Sequence, residues 1–322
     1  MATKIRVGVL RGGPSNEYEI SLKTGGSVLK YLPEKYHPHD IFISKDGEWH
    51  FEGVVEPPSK IFMKVDVIFN ALHGEYGEDG QVQKILEYFQ IPFTGSGALA
   101  SALGINKVLA KRIFKAHGIP TPYYVTLEKK DYKPSLLSEL FRNGPHPSVV
   151  KPVGLGSSVG VSVVKRFDEL EPAILKAFGY SPKIIIEQFV RGKEATCGVV
   201  DNFRGEKIYS LLPIEIRPAK GNGFFDYSAK YGGGSEEICP GNFTKEESEK
   251  IQEFAKEAHQ VLGLRHYSRS DFIVMPNGKV YILETNTLPG LTSESLLPKS
   301  LVAIGCKFPD FLDHLVTLAL HS

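Results

Sequence analysis

The segment from Lys151 to Gly160 has the composition of a phosphate-binding loop. A lysine ends a short apolar run, and a stretch of small residues follows, Pro152-Val153-Gly154-Leu155-Gly156-Ser157-Ser158-Val159. Glycines let the backbone approach a ligand closely, so that its N–H groups can surround phosphate oxygens. The segment fits neither GxxxxGK[ST] nor GxGxxG, which excludes the usual P-loop and dinucleotide loop. A plain hairpin turn between two strands explains the same residues equally well, and the sequence leaves both readings open.

A second group of polar residues combines two carboxylates with an amide. Asp271 begins one apolar, strand-like run, Glu284 ends the next, and Asn286 follows. The intervening turn Pro276-Asn277-Gly278 predicts that the two strands pair as a hairpin, which would bring the three side chains together. Oxygen ligands without His or Cys suit Mg²⁺ bound to nucleotide phosphates. Solvated carboxylates at strand ends are the alternative, but the apolar runs on both strands favour a metal.

The segment from Asn286 to Leu296 is rich in hydroxyl groups and leads into a helix-like run. The start of a helix carries positive partial charge and unpaired N–H groups, so it can bind a carboxylate. From these residues alone, an ordinary capped helix start is the better explanation.

The elements that would position these groups begin with alternating strands and helices. A β-branched run at Ile5–Leu10 precedes a glycine-containing loop at 11–15 and a helix from Tyr18 to Tyr31. A second buried strand at Val65–Ala71 precedes a polar loop at 72–80 and an amphipathic helix. This order predicts a parallel α/β unit. Ligands bind such units at the carboxyl ends of the strands, where both loops would lie.

The rest of the chain gives further strand and helix signals. Thr94-Gly95-Ser96-Gly97 predicts a domain boundary, and Thr244 with Glu247 predicts a capping box that opens a helix ending at Gly263. The segment Gly221–Gly241 predicts a long mobile loop, and loops of that length are usually functional lids or disordered. Other predicted elements are a helix at Asn106–His117 and strands at Ser148–Lys151, Gly160–Val164, Lys183–Glu187, Ala195–Val200, Asp271–Met275 and Lys279–Glu284.

The composition is that of an ordinary soluble globular protein. The 322 residues are 42% hydrophobic and 23% charged, and this length suits two or three domains. A net charge of +1 gives no general attraction for nucleic acid or an anionic membrane, so neither is an expected partner. The 3 cysteines lack zinc spacing and are expected to be free thiols. Because neither a signal-peptide pattern nor an apolar stretch of transmembrane length is seen, we expect a cytoplasmic protein.

Taken in order, these segments resemble the D-alanine–D-alanine ligases of the ATP-grasp superfamily, from about Lys4 to the C-terminus. One match would be weak, whereas all of them in family order make coincidence implausible. The matching segments are Gly12–Glu17 with Ser21, Leu72–Gly74 with Gly77–Gly80, Thr94–Gly97, Asn106-Lys107, Lys151–Gly160, Ala229–Tyr231, Arg269–Asp271 and Glu284–Leu296.

The resemblance implies an α/β fold, with α+β character in the ATP-grasp part. Three domains are expected: a Rossmann-like parallel-sheet domain on the substrate side at residues 1–95, a central ATP-grasp subdomain at 96–190, and a C-terminal ATP-grasp subdomain with the metal and substrate sites at 191–322. ATP would lie between the last two domains. The resemblance also implies a homodimer formed through the N-terminal domain.

An ATP site is implied in the same way. Lys107 and Lys151 would bind the phosphates from two separate elements, although most lysines are simply surface residues. Glu187 would accept a hydrogen bond from the exocyclic amine of adenine, the Val190 backbone would pair with the ring, and Glu194 would bind the ribose. The implied ATP-binding residues are Lys107, Lys151, Ser157, Ser158, Glu187, Phe189, Val190, Glu194 and Lys230. The implied ligands of two Mg²⁺ or Mn²⁺ ions are Asp271, Glu284 and Asn286.

Two D-alanine molecules are the implied substrates. Glu17 matches the residue that pairs with the ammonium of the first D-alanine, and His73 matches one near its carboxylate. Ser157 and Tyr231 match the partners of Glu17 in a hydrogen-bonded trio. Ser295 and the Leu296 backbone are implied for the carboxylate of the second D-alanine, and Arg269 and Gly290 for the oxyanion of the reaction.

The implied reaction joins the two D-alanines into D-alanyl-D-alanine for peptidoglycan synthesis, through an acyl phosphate. The sequence departs from the family pattern at Cys239-Pro240-Gly241, at the run Gly232–Gly234, and at Ser268, where Gly or Ala is usual. None of these departures removes a group that the chemistry needs. Tyr231 stands where members that use D-lactate differ, which favours an amine as the second nucleophile.

Three other hypotheses remain for the function. The first is an ATP-grasp ligase with another second substrate, such as D-lactate or D-serine. The second is an inactive nucleotide-binding module, which the joint presence of the lysines, Arg269 and the carboxylates disfavours. The third is a Rossmann oxidoreductase, which the lack of GxGxxG disfavours. The ligase hypothesis requires that Asp271, Glu284 and Asn286 lie together, with Lys151 facing them.

Overall fold

In the part of the chain that the structure describes, three β-sheets follow one another. The computed structural model describes residues 4–156, 159–218 and 235–321, so Ser157, Ser158, Lys230 and Tyr231 of the predicted site fall outside the described residues. The strands are β1 (Ile5–Gly12), β2 (Tyr36–Ile43), β3 (Trp49–Phe51), β4 (Val54–Val55), β5 (Val67–Asn70), β6 (Tyr124–Glu128), β7 (Ser148–Pro152), β8 (Ser162–Val164), β9 (Lys183–Gln188), β10 (Lys193–Phe203), β11 (Glu206–Ser210), β12 (Ile214–Pro218), β13 (Ser235–Ile238), β14 (Tyr267–Val274) and β15 (Val280–Asn286).

Helices connect or cover these sheets. The described helices are α1 (Tyr18–Tyr31), α2 (Pro58–Phe62), α3 (Gln81–Tyr88), α4 (Ala98–Ile105), α5 (Lys107–Ala116), α6 (Leu137–Asn143), α7 (Phe167–Phe178), α8 (Lys245–Val261), α9 (Leu296–Ala303) and α10 (Phe308–Leu320), with short 3₁₀ helices at Lys129–Asp131 and Pro134–Leu136. Within the described ranges, no helix combines the length and apolarity needed to cross a bilayer.

The N-terminal sheet has the order β4-β3-β2-β1-β5. β1 runs parallel to β2 and to β5, as the strand–loop–helix pattern predicts, while β3 and β4 add an antiparallel edge. The middle of β1 is buried throughout, because a parallel sheet is covered on both faces and its strands do not alternate. The loops that follow β1 and β5 therefore leave the sheet at the same edge.

The central sheet is antiparallel, with the order β6-β9-β7-β8. The predicted phosphate loop is the connection between β7 and β8, which pair as a hairpin. The two readings of that segment are therefore compatible, since a hairpin connection can also present its backbone to a ligand. Helix α7 packs its apolar face on this sheet. The hydrophobic core between them is separate from the cores of the other two sheets.

The C-terminal sheet is also antiparallel, with the order β13-β12-β10-β14-β15 and β11 beside β10. Helix α8 covers one face and begins with the predicted capping box. Thr244 N–H donates to the Glu247 carboxylate at 2.9 Å, and Glu247 N–H donates to Thr244 Oγ1 at 3.2 Å. The loop predicted at Gly221–Gly241 lies outside the described residues as far as residue 234. The prediction is wrong at Ser235–Ile238, because these residues form β13 and pair with β12.

The N-terminal and C-terminal sheets share one hydrophobic core. Helix α10, at the end of the chain, packs between them and buries Phe311 against Tyr267 of β14, with ring centroids 6.0 Å apart. Strands β1 and β5 contribute Val9 and Phe69 to the same cluster. The first and last segments of the chain are therefore joined by apolar packing.

Truncating the buried aromatic ring of α10 should destabilise this core. Phe311 is 0% exposed, so Phe311→Ala leaves a cavity and should lower the free energy of unfolding by about 3–5 kcal/mol. Urea unfolding followed by circular dichroism measures the change. Thr317→Ala, an exposed position on the same helix, is the matched control. An unfolding midpoint for Phe311→Ala equal to that of the control would contradict the role given to α10.

Candidate active site

A cleft of about 2480 Å³ opens between the sheets. Ligand sites usually occupy about 300–1,000 Å³, so the cleft has room for a nucleotide and further small molecules. All of the predicted site residues that the structure describes line it: Glu17, His73, Lys107, Lys151, Glu187, Phe189, Val190, Glu194, Arg269, Asp271, Glu284, Asn286, Gly290, Ser295 and Leu296. Residues separated by more than 250 positions in the sequence are thus brought to one cavity.

Strands β14 and β15 place the predicted metal ligands side by side. Asp271 is paired with Glu284, and Arg269 is paired with Asn286, with a register shift just after Asp271. Directly opposed residues of an antiparallel pair have Cα atoms about 4.5–5.5 Å apart, so the three side chains share a small region. Asp271 is not at the start of its strand as predicted, because β14 begins at Tyr267.

The donor set of this region fits a hard divalent cation. Two carboxylates and an amide oxygen supply oxygen ligands of the kind that Mg²⁺ and Mn²⁺ accept. Among residues 4–156, 159–218 and 235–321, no cluster of three or more His, Cys, Asp or Glu side chains could hold a metal. The predicted set has two carboxylates and the amide of Asn286, whose Oδ1 also accepts from Leu288 N–H at 2.8 Å.

The guanidinium of Arg269 is held against Asp271. Its Nε and one terminal nitrogen donate to the two carboxylate oxygens at 3.0 and 3.1 Å. Thr196 of β10 donates its hydroxyl to the same carboxylate at 2.6 Å. Both side chains of the pair are less than one-fifth exposed. This fork fixes the direction in which Arg269 enters the cleft.

Lys107 connects the metal region to the loop after β7. It is the first residue of α5, which Asn106 caps by accepting from Val108 N–H and Leu109 N–H. Its ammonium donates to the Leu155 carbonyl at 2.5 Å and lies 3.2 Å from a Glu284 carboxylate oxygen. A cation therefore stands beside the predicted metal ligands and beside the small-residue loop.

Lys151 lies on the neighbouring strand β7 and pairs with Glu187 of β9. Its ammonium is 3.0 Å from one carboxylate oxygen, and the ammonium of Lys111 is 2.8 Å from the other. Glu187 is buried, which by itself raises the pKa of a carboxyl, but the charges of Lys111 and Lys151 lower that pKa overall. The carboxylate is therefore ionised and held from two sides.

Sequence reasoning missed Lys111. The signal was present, because Lys111 lies four residues after Lys107 and on the face of α5 that also buries Val108, Ala110 and Phe114. A lysine on the apolar face of an amphipathic helix is a candidate for a buried ion pair.

The loops that follow β1 and β5 of the N-terminal sheet meet at the other side of the cleft. Ser15 donates its hydroxyl to the His73 carbonyl at 2.6 Å and accepts from Glu17 N–H at 3.0 Å. Gly74 has φ +71°, and a Cβ there would lie 2.9 Å from a Glu17 carboxylate oxygen, so only glycine leaves room for that side chain. A Cβ on Gly156 would lie 3.4 Å from the same oxygen, so Glu17 also reaches the loop of the central sheet.

The ring of His73 is fixed at both nitrogens. Nε2 is 2.9 Å from the Thr24 hydroxyl and Nδ1 is 3.2 Å from a Glu78 carboxylate oxygen. Only 4% of His73 is exposed, so the residue contributes to the cleft as a rigid, oriented group.

The loop after β15 ends where helix α9 begins. Ser295 precedes the helix, and its hydroxyl is 2.8 Å from that of Thr292 and accepts from Thr292 N–H at 3.2 Å. A Cβ on Gly290 would lie 2.9 Å from Ser295 Oγ, so the glycine backbone lies close to this hydroxyl. The first N–H groups of α9 are not bonded by the Ser295 side chain, and this end suits a carboxylate.

A second cation near this helix start was also missed. Lys299 lies one turn after Ser295, lines the cleft, and pairs with Glu237 of β13 at 2.7 Å. Its spacing of four residues from Ser295 places it on the same face of α9. The ammonium of Lys299 therefore lies close to the position predicted for a carboxylate, where Glu237 balances its charge.

Comparison with protein families identifies two matching family models. The model described as "D-ala D-ala ligase C-terminus" matches residues 113–317, and the model described as "D-ala D-ala ligase N-terminus" matches residues 6–61 and 55–96. Together they cover most of the chain, including every sheet described above.

Similar proteins were found at full length. A D-alanine–D-alanine ligase of Syntrophobacter fumaroxidans is 40% identical over 328 residues, covering 99% of both chains, and one of Geobacter sulfurreducens is 41% identical over 318 residues, covering 98% of this chain and 94% of the other. Among solved structures, the D-alanine–D-alanine ligase of Bacillus anthracis superposes with a TM-score of 0.80 at 33% identity, covering 98% of each chain. A D-Ala:D-Ser ligase of Enterococcus faecalis superposes with a TM-score of 0.85 at 30% identity, covering 98% of this chain and 100% of the other.

Proposed function

The chain belongs to the D-alanine–D-alanine ligase family, the ATP-dependent ligases that form D-alanyl-D-alanine for peptidoglycan, and from this premise we propose how its cleft carries out the reaction. The family uses ATP and a divalent metal ion. The observation that best supports our assignment of roles is the strand register, which sets Asp271 opposite Glu284 and Arg269 opposite Asn286, beside Lys107.

The nucleotide lies between the central and C-terminal sheets in our proposal. Lys107 and Lys151 exchange their carboxylate partners for the phosphates when ATP arrives, and Glu187 accepts from the exocyclic amine of adenine. Asp271, Glu284 and Asn286 hold two Mg²⁺ or Mn²⁺ ions, which supply neutralising charge for the phosphates when bound. Ser157, Ser158 and Lys230 stay predictions from the sequence, because they lie outside the described residues.

The first step forms an acyl phosphate. Glu17 binds the ammonium of the first D-alanine. His73, whose ring nitrogens contact Thr24 and Glu78, orients the carboxylate by exchanging one of these partners for it. One carboxylate oxygen attacks the γ-phosphorus while the bond to the bridging oxygen breaks, so that ADP leaves. Lys107 and Lys151 offset the charge that spreads over the transferred group. Tyr231 and Ser157 remain predicted partners of Glu17 that lie outside the described residues.

The second step forms the peptide bond. Ser295 and the Leu296 N–H hold the carboxylate of the second D-alanine at the start of α9, where the helix dipole favours negative charge. Its amine, which has released one ammonium proton to solvent, attacks the acyl carbon, and the second proton that the nitrogen loses leaves with the phosphate. Arg269 and the Gly290 N–H stabilise the tetrahedral oxyanion, which then expels inorganic phosphate and leaves the dipeptide.

The remaining predictions from the sequence stand as part of the proposal. We place domain boundaries near residues 95 and 190, which agree with the gaps between the sheets. We expect a homodimer through the N-terminal domain and a cytoplasmic location, where ATP and D-alanine are available.

The protein should release phosphate from Mg-ATP only when D-alanine is added, with one D-alanyl-D-alanine formed per phosphate. Coupled phosphate detection and chromatography of the products measure both quantities. L-Alanine is the control substrate, and a reaction with EDTA tests the metal requirement. Phosphate release with L-alanine and none with D-alanine would show that the assignment is wrong.

D-Serine is a second candidate for the acceptor, because the structure also resembles a D-Ala:D-Ser ligase. When D-alanine and D-serine compete at equal concentration, we expect D-alanyl-D-alanine as the main product. A mixed dipeptide in excess would assign the acceptor site to D-serine and leave the ligase chemistry unchanged.

A further inference from the structure

Lys111 is a buried cation outside the roles described so far. Its side chain is 0% exposed, and its ammonium lies 2.8 Å from Glu187 Oε2 and 2.8 Å from the Thr121 hydroxyl. An ammonium group without access to water is costly unless it is paired and hydrogen-bonded. The two contacts meet that requirement and fix the ammonium behind the carboxylate.

The two lysines that hold Glu187 differ in their relation to the cleft. Lys151 and Glu187 both line the cleft, whereas Lys111 does not. Lys111 extends from α5 and reaches the carboxylate from the side of the protein interior. Lys151 can therefore turn towards a ligand in the cleft, but Lys111 can only stay with Glu187.

We propose that Lys111 is a positioning residue for the nucleotide base: it keeps Glu187 ionised and oriented after Lys151 has moved to the phosphates, and thereby makes the site select adenine over guanine. This inference rests on the proposed function, in which Glu187 meets the edge of the base.

The chemistry of the two bases explains why the charge matters. At the position of the adenine amine, which donates a hydrogen bond, guanine carries a carbonyl oxygen, which accepts one. An ionised carboxylate only accepts, so it attracts the adenine amine and repels the guanine oxygen. A protonated carboxyl can donate and would tolerate guanine. Without Lys111, a buried Glu187 that has lost Lys151 to the phosphates would take up a proton.

The electrostatics agree with this geometry. Burial lowers the pKa of Lys111 to about 8, and Glu187 opposes that decrease, so the ammonium form is retained at neutral pH. Among the described residues, the titratable groups that face Glu187 are Lys111 on α5, Lys151 on β7 and Tyr124 directly opposite on β6. Glu284 of β15 acts on Lys111 from further away.

The test replaces Lys111 with methionine, which keeps much of the side-chain volume and removes the charge. Lys111→Met should raise the KM for ATP by about 10–100-fold, the loss expected when a hydrogen bond to a charged group is removed. The ratio of kcat/KM for ATP to that for GTP should fall at least about tenfold, and the KM for D-alanine should change little. In this variant the KM for ATP should also rise as the pH falls, because Glu187 then titrates.

Controls separate positioning from structural support. Lys115→Met, one turn along the exposed side of α5, should leave the KM for ATP and the nucleotide selectivity unchanged. In a Glu187→Gln background, Lys111→Met should have little further effect on selectivity, since no carboxylate remains to be charged. If Lys111→Met does not fold, Thr121→Val removes the hydroxyl partner of the ammonium and should shift selectivity in the same direction.

Direct binding distinguishes this inference from the proposed function. Dissociation constants for ATP and GTP are measured without D-alanine, for the wild-type protein and for the folded variant. An unchanged ATP-to-GTP ratio in Lys111→Met, or in Thr121→Val if that variant is the one used, overturns the inference while ligation by the wild type stands. If the wild-type protein does not ligate D-alanine but Lys111→Met still loses its selectivity for ATP over GTP, the inference is supported and the proposed ligase roles are rejected.

Discussion

Replacing Arg269 with alanine should lower kcat by about 10²–10³-fold, the usual cost of removing one oxyanion donor. Arg269 lines the cleft on β14, beside the β15 strand that leads to Gly290. In our proposal its guanidinium meets negative charge that exists only in the transition state, so the loss falls on kcat rather than on substrate binding. Steady-state kinetics with saturating D-alanine measure the effect.

Arg269 also forms a two-pronged ion pair with Asp271, a predicted metal ligand, so the effect of its replacement on ATP binding must be measured separately. Arg269→Ala removes the guanidinium partner of the Asp271 carboxylate, which among the described residues Thr196 alone then holds. ATP binding is therefore followed by calorimetry, and we expect its dissociation constant to change less than about tenfold. Arg269→Lys keeps one charge but loses the two-pronged geometry, and it should restore only part of kcat. Arg112→Ala, an exposed position on α5, serves as the control. Normal turnover in Arg269→Ala would remove this residue from the mechanism.

Replacing Asp271 with asparagine should raise the Mg²⁺ concentration needed for half-maximal activity by at least about 10–100-fold, since even indirect partners of a metal ligand have effects of that size. The substitution keeps the shape of the side chain and removes one negative charge from the pair that Asp271 forms with Glu284. Turnover at saturating metal should fall as well, because a metal ion bound at a shifted position neutralises the phosphate charge less effectively.

A metal titration of the ligase activity gives this result directly. Asp46→Asn, in an exposed turn, should leave the titration midpoint where the wild type has it. Mn²⁺ is tested in parallel, because the same oxygen ligands accept it. A midpoint that Asp271→Asn does not move would place the metal elsewhere, and the assignment of Glu284 and Asn286 would then also lose its support.

Local sequence patterns predicted much of the fold that positions the cleft. Helix α1 has the predicted bounds, Tyr18–Tyr31, and the capping box of α8 forms as expected. The turn at Pro276-Asn277-Gly278 correctly paired β14 with β15. The family membership, the fold class and the ligase function were likewise predicted and are confirmed.

The errors have a common physical cause. The polar start of β14, from Tyr267 to Ser270, does not look like a strand, and it forms one because β10 supplies its hydrogen-bond partners. Strand β13 is likewise completed by β12. Both features depend on contacts between distant segments, which a local pattern does not contain. The omission of Lys111 is an exception, because its position on the apolar face of α5 was a local signal that the sequence analysis did not use.

The core that α10 completes has a consequence for synthesis on the ribosome. The N-terminal strands leave the exit tunnel first, yet the apolar cluster that contains Val9 and Phe69 is finished only when the last helix arrives. A nascent chain therefore carries an uncovered hydrophobic surface for most of its elongation, as is typical where contacts join distant positions. Chaperones that shield emerging polypeptides would be needed longest at this surface, and premature termination before Phe308 would leave it permanently open.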